Sequence, residues 1–175
     1  YIIMQGMKRA LIILHGNHAD TSRIKDCFKK DTILICADGG AEHARKHYLT
    51  PDIVVGDMDS ISPDTLNWLN NHKVKILKYP QNKDYTDSEL AVKKALELGC
   101  DELIVFGLLG NRIDHMSANI RYLAHLSSRV QLHIIEGDQD IYFVRTSIEI
   151  KGKKGDEISL IPLQKDCKGI TTKRL

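Results

Sequence analysis
Short apolar runs alternate with segments of helical spacing along most of this chain, and that alternation restricts its fold more than any other feature. The runs Ala10 to Leu14, Thr32 to Ala37, Ile53 to Val55, Val74 to Leu77, Leu103 to Phe106 and Val130 to Ile135 have strand length and are rich in Ile, Val and Leu. Between them, Thr21 to Lys30, Ala41 to Tyr48, Pro63 to Asn71, Asp87 to Leu98 and Ile113 to Ser127 carry the length and spacing of helices. Two of these have visible starts: Ser62-Pro63 supplies an N-cap and a first-turn proline, and Thr86 with Glu89 fits a capping box. Strands that are apolar throughout need cover on both faces. The pattern therefore predicts an α/β fold, a mainly parallel sheet flanked by helices.

Near Gln139 the pattern changes. Strand-like segments Ile141 to Val144, Ser147 to Ile150 and Glu157 to Ile161 follow one another without a helix, broken by Lys151-Gly152-Lys153-Lys154-Gly155-Asp156. The expected organisation is an α/β domain over 7–138 and, over 139–175, the start of a small C-terminal antiparallel domain that the chain leaves incomplete. A length of 175 residues allows one full domain and little more. Lys and Arg total 25 against 23 acidic residues, a balance that points to neither nucleic acid nor an acidic membrane as partner. No apolar run reaches the roughly 20 residues of a membrane span, and Tyr1 to Gly6 lacks the basic and apolar regions of a secretory signal. The four cysteines are widely spaced with no CxxC pair, which argues against a zinc site and for a reducing, cytoplasmic setting. Met7 before Lys8-Arg9 reads as a natural start, which would make Tyr1 to Gly6 an upstream or an added leader.

In an open parallel sheet the ligand crevice lies at the loops after the strands' carboxyl ends. Four such loops have unusual content. Asp38-Gly39-Gly40-Ala41 opens a helix with two glycines, a setting for phosphate or another polar ligand, or else an ordinary glycine turn capped by Asp38. In Gly56-Asp57-Met58-Asp59-Ser60 an extended backbone puts Asp57 and Asp59 on one side, where paired carboxylates repel unless a cation such as Mg²⁺ joins them, or else Asp59 and Ser60 simply start the next turn. In Lys83-Asp84-Tyr85-Thr86-Asp87-Ser88-Glu89 the capping box accounts for Thr86 and Glu89, and the helix dipole for Asp87. Facing Asp57 and Asp59, however, Asp87 would complete a magnesium site, with Lys83 neutralising phosphate or simply solvated. The last loop, Gly107 to His115, holds Arg112, which can grip phosphate oxygens in a fork, and Asp114, which can cap or position that arginine. A surface Arg-Asp pair of little energy is the alternative. His115 reads as a hydrogen-bonded structural residue rather than a base.

No GxxxxGK[ST] loop occurs and no GxGxxG turn follows the first strand, so acidic residues and one arginine would have to manage the phosphates. No Ser-His-Asp or Cys-His nucleophile set is evident.

Taken in order, Asp38-Gly39-Gly40-Ala41, Pro51-Asp52, Gly56-Asp57-Met58-Asp59-Ser60, Lys83-Asp84-Tyr85-Thr86-Asp87 and Gly110-Asn111-Arg112-Ile113-Asp114-His115 with Asn119 resemble the motif series of the thiamine pyrophosphokinase family. The likeness runs from Leu11 to Asn119, and Ile158 to Leu163 with Gly169-Ile170-Thr171-Thr172 is similar to the opening of that family's C-terminal β-sandwich. Two positions depart from it: Asn111 stands where the family commonly has glycine, and Met58 where it has an aromatic. The resemblance implies a nucleotide-binding α/β domain, a thiamine-binding β-sandwich, and a homodimer whose thiamine site is shared between subunits. It implies Asp57, Asp59 and Asp87 as Mg²⁺ ligands, and Asp84, Thr86, Arg112 and Asp114 as residues that contact or orient ATP. Asp38, Gly39, Gly40, Lys83 and His115 join the nucleotide-binding set. The implied reaction is attack by the thiamine hydroxyl oxygen on the β-phosphorus of ATP, releasing AMP. Asp57, Asp59, Asp84, Asp87, Arg112 and Asp114 form the catalytic group, and Asp84 or Asp87 accepts the hydroxyl proton. Rival readings are another small alcohol as acceptor, such as a hydroxymethyl-pterin, a non-catalytic nucleotide-binding module, and a magnesium phosphohydrolase that uses water.

Overall fold
The computed structural model describes residues 7–16, 23–81, 85–110, 113–163 and 166–172. The chain divides into two compact units, Tyr1–Phe143 and Val144–Leu175. In the first unit the strands are β1 (Arg9–Ile13), β2 (Ile33–Ala37), β3 (Ile53–Gly56), β4 (Lys75–Lys78), β5 (Glu102–Phe106), β6 (Gln131–Glu136) and β7 (Gln139–Tyr142). They form one seven-stranded sheet in the order β4-β3-β2-β1-β5-β6-β7. Every neighbouring pair from β4 to β6 is parallel, and β7 alone runs antiparallel, against β6. The helices are α1 (Ile24–Cys27), α2 (Gly40–Lys46), α3 (Pro63–Asn71), α4 (Asp87–Glu97) and α5 (Ile113–Leu126). The mainly parallel, helix-flanked sheet expected from the sequence is thus the architecture found.

Alternation along each strand sends successive side chains to opposite faces. Ala10, Ile12 and Leu14 pack with Leu90, Ala91, Val92 and Ala95 of α4 and with Leu123 and Leu126 of α5. Leu11 and Ile13 pack on the other side with Ile24 of α1, Ala41 and Ala44 of α2, and Leu69 of α3. Phe106, Leu11, Ile12 and Ile134 are wholly buried. Each such side chain contributes about 1.5–3 kcal/mol of apolar burial. Because α1, α2 and α3 cover one face and α4 and α5 the other, the chain steps outward from β1 to β4, then returns through α4 to β5 beside β1. Strand order therefore reverses between β1 and β5, the place where an open α/β sheet leaves a crevice.

Local signals hold well. Helix α3 spans the expected Pro63–Asn71, with the Ser62 side chain accepting from the Thr65 amide. Thr86 accepts from the Glu89 amide at 3.2 Å and Glu89 accepts from the Thr86 amide at 2.8 Å, the reciprocal capping box at the start of α4. Helix α1 is shorter than the expected Thr21 to Lys30, because Phe28 turns to an extended conformation. Residues 17–22 fall outside the described set.

The second unit departs from expectation. Gln139 to Tyr142, expected within it, closes a hairpin on β6 across Gly137-Asp138, and the division falls after Phe143. Beyond it the Lys153–Asp156 turn forms, with the Asp156 amide donating to the Lys153 carbonyl at 3.1 Å. Ser147 to Ile150 and Glu157 to Ile161 form no strand, and every described residue from Val144 onward is exposed. A single strand without a paired neighbour or an apolar surface beneath it does not hold itself in water.

Among the described residues no helix is long and apolar enough to cross a membrane. No disulfide joins the cysteines.

Candidate functional site
At the carboxyl edge of the sheet, β2 and β3 deliver three carboxylates to one place. Asp38 follows β2 with φ 43°, and its amide donates to the Val55 carbonyl at 2.8 Å, which fixes it beside the end of β3. Its side chain is only 6% exposed, and Oδ1 has no hydrogen-bond partner. Helix α2 starts at an uncapped Gly39, so Asp38 is not the capping residue of an ordinary turn. A Cβ on Gly40 would strike the Ile13 carbonyl, and the absence of one lets α2 begin directly against β1.

Asp57 and Asp59 reach the site by a different backbone from the extended one expected. Met58 adopts φ 72°, and the Asp59 amide donates to Asp57 Oδ1 at 3.2 Å, so a tight turn converges the two carboxylates. One ligand oxygen each from Asp38, Asp57 and Asp59 lie within 4.8 Å of one another. Asp87, at the head of α4, adjoins this group across Gly56. With φ 145°, Gly56 has Asp38 and Asp87 crowding the space of a side chain: a Cβ there would stand 2.9 Å from the Asp38 Cβ and 3.2 Å from Asp87 Oδ1. Glycine is what allows the carboxylates to close over the end of β3.

Burial pushes the Asp38 carboxyl above its ordinary pKa; a hydrogen bond from Ser60 opposes this, and the charges of Asp87, Asp57 and Asp59 add to it. The exposed Asp59 is held below the usual range, first by Ser60 and then by Gln81, which donate to it at 2.9 Å each. The turn is braced from behind by Glu42 of α2, which accepts from the Ser62 amide and the Thr65 hydroxyl at 2.7 Å each. Burial pushes Glu42 up, but these bonds outweigh it and leave its pKa lowered.

At the β1 and β5 ends, the Leu14 amide donates to the Phe106 carbonyl at 2.8 Å, and the Leu109 amide donates to Glu136 Oε2 at 3.1 Å. Asp114 and His115 are exposed in the first turn of α5, and Thr86 is half-buried at the N-cap of α4. Lys83, Asp84 and Arg112 lie outside the described residues. The structure therefore gathers Asp38, Asp57, Asp59 and Asp87 in one neighbourhood, with Asp38 in the tight group of oxygens.

The family described as "Thiamin pyrophosphokinase, catalytic domain" matches residues 24–136. The chain belongs to the thiamin pyrophosphokinase family. It is 32% identical over 153 residues to thiamine pyrophosphokinase 2 of Oryza sativa subsp. japonica, covering 75% of this chain and 56% of that protein. To the thiamine pyrophosphokinase of Bacillus subtilis strain 168 it is 29% identical over 143 residues, covering 80% and 67%. Against the rice relatives the chain spans 56%, 62% and 58% of their length. The fold is shared with the crystal structure of the Bacillus subtilis thiamine pyrophosphokinase, with TM-score 0.64 and 24% identity over 74% of this chain and 61% of that one. It is also shared with the thiamin pyrophosphokinase of Candida albicans, at TM-score 0.65 and 23% identity over 77% and 60%.

The family match covers every site residue named from the sequence. Sequence reasoning placed Asp38 among nucleotide contacts and missed its union with Asp57 and Asp59. It also passed over His15, whose ring sits where a Gly39 side chain would be, and Glu136. His15-Gly16 directly follows a strand, the same signal that drew attention to the other loops. For Glu136 the only trace is an acidic residue ending an apolar run.

Proposed function
We propose that this chain carries the catalytic unit of a thiamine pyrophosphokinase, which transfers the diphosphate of ATP to the hydroxyl of thiamine, giving thiamine diphosphate and AMP. The observation that carries this reading is the gathering of Asp38, Asp57 and Asp59 beside Asp87, with a buried Asp38 oxygen left without a partner. An all-carboxylate donor set suits Mg²⁺, which takes hard oxygen ligands and shares them with substrate phosphates. Asp57, Asp59 and Asp87 hold it in this reading, and Asp38 is placed to join them. When bound, Mg²⁺ offsets the charge of the ATP phosphates.

Thr86, whose oxygen accepts from the Glu89 amide, keeps its own proton to donate to the nucleotide. Asp84, Arg112 and Asp114 contact or orient the same nucleotide, with Lys83, Gly39, Gly40 and His115 around it. The thiamine oxygen bonds to the β-phosphorus as the bond to the bridging α–β oxygen breaks and AMP departs. The hydroxyl proton passes to Asp84 or Asp87, and positioning supplies most of the acceleration. Residues 144–175 supply thiamine contacts, in a cytoplasmic homodimer whose subunits share that site.

The test is a product assay with Mg-ATP and thiamine, reading AMP against ADP and phosphate. Wild type yields AMP and thiamine diphosphate, and Asp57→Asn lowers that rate at least about 10²-fold with its fold intact by circular dichroism. ADP or phosphate without AMP, or an undiminished rate in Asp57→Asn, defeats the reading.

A further inference from the structure
We infer that the β6–β7 turn is the positioning element of the crevice, and that Glu136 and Arg23 serve the reaction through the two loops they hold. This rests on the nucleotide reading of the site. The crevice at the β1/β5 reversal is flanked by the connections leaving those strands. Both are fastened to one turn. On the β5 side, Glu136 Oε2 accepts the Leu109 amide at 3.1 Å. On the β1 side, the connection ends at Arg23, whose guanidinium donates to the Gly137 carbonyl at 3.4 Å and to both Asp140 oxygens at 3.0 Å. His133 braces Asp140 at 2.6 Å and stacks on Tyr142, with ring centroids 4.4 Å apart.

The two loops also touch each other. A Cβ on Gly16 would stand 2.7 Å from the Gly107 and Leu109 carbonyls, and one on Gly107, at φ 72°, would stand 2.6 Å from the Leu14 carbonyl. Movement of residues 14–16 therefore displaces residues 107–109 and the reverse, so a change at the residue that holds Leu109 is felt on both sides.

A purely structural role fits Glu136 poorly. The residue is 9% exposed and its Oε1 has no partner. Burial pushes its carboxyl above the ordinary range, while the Leu109 and Leu108 amides pull the other way. A buried acid with an unmatched oxygen lowers stability. What it adds is a fixed anchor for the loop that leads to Arg112.

The experiment measures kcat, KM for Mg-ATP, KM for thiamine and melting temperature on the whole chain for wild type, Glu136→Leu, Glu136→Gln and Arg23→Met. Glu136→Leu raises KM for Mg-ATP at least about fivefold, the effect of losing a hydrogen bond to a carboxylate. Its KM for thiamine changes much less. Arg23→Met moves KM for Mg-ATP in the same direction by about twofold to threefold, as expected of a partly exposed pair. Glu136→Gln recovers most of the loss, since its amide oxygen still accepts the Leu109 N–H.

An unchanged KM for Mg-ATP in folded Glu136→Leu and Arg23→Met overturns the inference. So does a fall in melting temperature with KM unchanged, or an equal rise in both KM values. If Glu136→Leu fails to fold, Arg23→Met decides alone. Wild type that neither binds Mg-ATP nor forms AMP removes the functional reading and this inference together, whereas an active wild type with indifferent variants removes only the inference.

Discussion
Two aspartates near the carboxyl edge of the sheet live under opposite conditions. Asp140 receives Arg23 on both oxygens and His133 on one. Burial pushes its carboxyl up, but those partners outweigh it, and its pKa is lowered. Asp38 meets Ser60 and the like charges of Asp87, Asp57 and Asp59, and its pKa is raised. One aspartate is completed by the protein. The other keeps a buried oxygen without a hydrogen-bond partner among like charges, the pattern of a candidate functional site rather than of a structural ion pair made of the same residue type.

The contrast breaks most visibly at Gly56. Gly56→Ala drives a methyl group between Asp38 and Asp87, and AMP formation is expected to fall by about 10²-fold or more, read in the product assay. Retained activity would mean that the carboxylates need not close over β3. Next in size is the response to metal and nucleotide. At a hundredfold excess over its dissociation constant, Mg-ATP is expected to stabilise the fold by about 2.7 kcal/mol. EDTA or Asp57→Asn should abolish that gain in a thermal melt, and Asp140→Asn should not.

Without ligand, the two aspartates should respond to neutralisation with opposite signs. Asp140→Asn is expected to cost about 1 kcal/mol, whereas Asp38→Asn raises the metal-free melting temperature by roughly 2–4 °C as the crowded charge is removed. A loss of stability in both would erase the distinction. The smallest effect is in the acid limb. Because the Asp140 pKa is lowered on folding, its contribution is present above the ordinary carboxylate range and fades as pH falls through the lowered value, below about pH 4. Urea titrations across that window should show a shallower acid loss in Asp140→Asn than in wild type.

Much of the first unit was legible because its signals are local. Strand length, apolar runs and caps at Ser62 and Thr86 act within a few residues, and the structure follows them closely. The second unit shows where that logic ends. Ile148 and Ile150, like Ile158 and Leu160, have the spacing of a strand face, yet all four are exposed and none lies in a strand. Pairing is a property of two segments, and period alone does not supply the second.

At the site, residue types were readable and geometry was not. Asp57 and Asp59 were expected to converge by strand alternation, but the positive φ of Met58 brings them together through a turn. Asp38 joined them because the register of β2 against β3 puts their ends side by side, a long-range fact invisible in either motif. Glu136 acts across from Leu109 for the same reason.

The other end of the sheet order has its own consequence. β4 is an edge strand of four residues, exposed at Lys75 and Lys78 and half-buried between them. An edge offers unpaired peptide groups to any passing strand, and a short edge with lysine at both ends discourages fibrillar growth by charge repulsion. That protection depends on ionic strength: at about 1 M salt the screening length shrinks to about 3 Å. Colloidal stability of the concentrated protein is therefore expected to weaken in brine, and a Lys75→Ile, Lys78→Ile variant should scatter light where wild type stays clear.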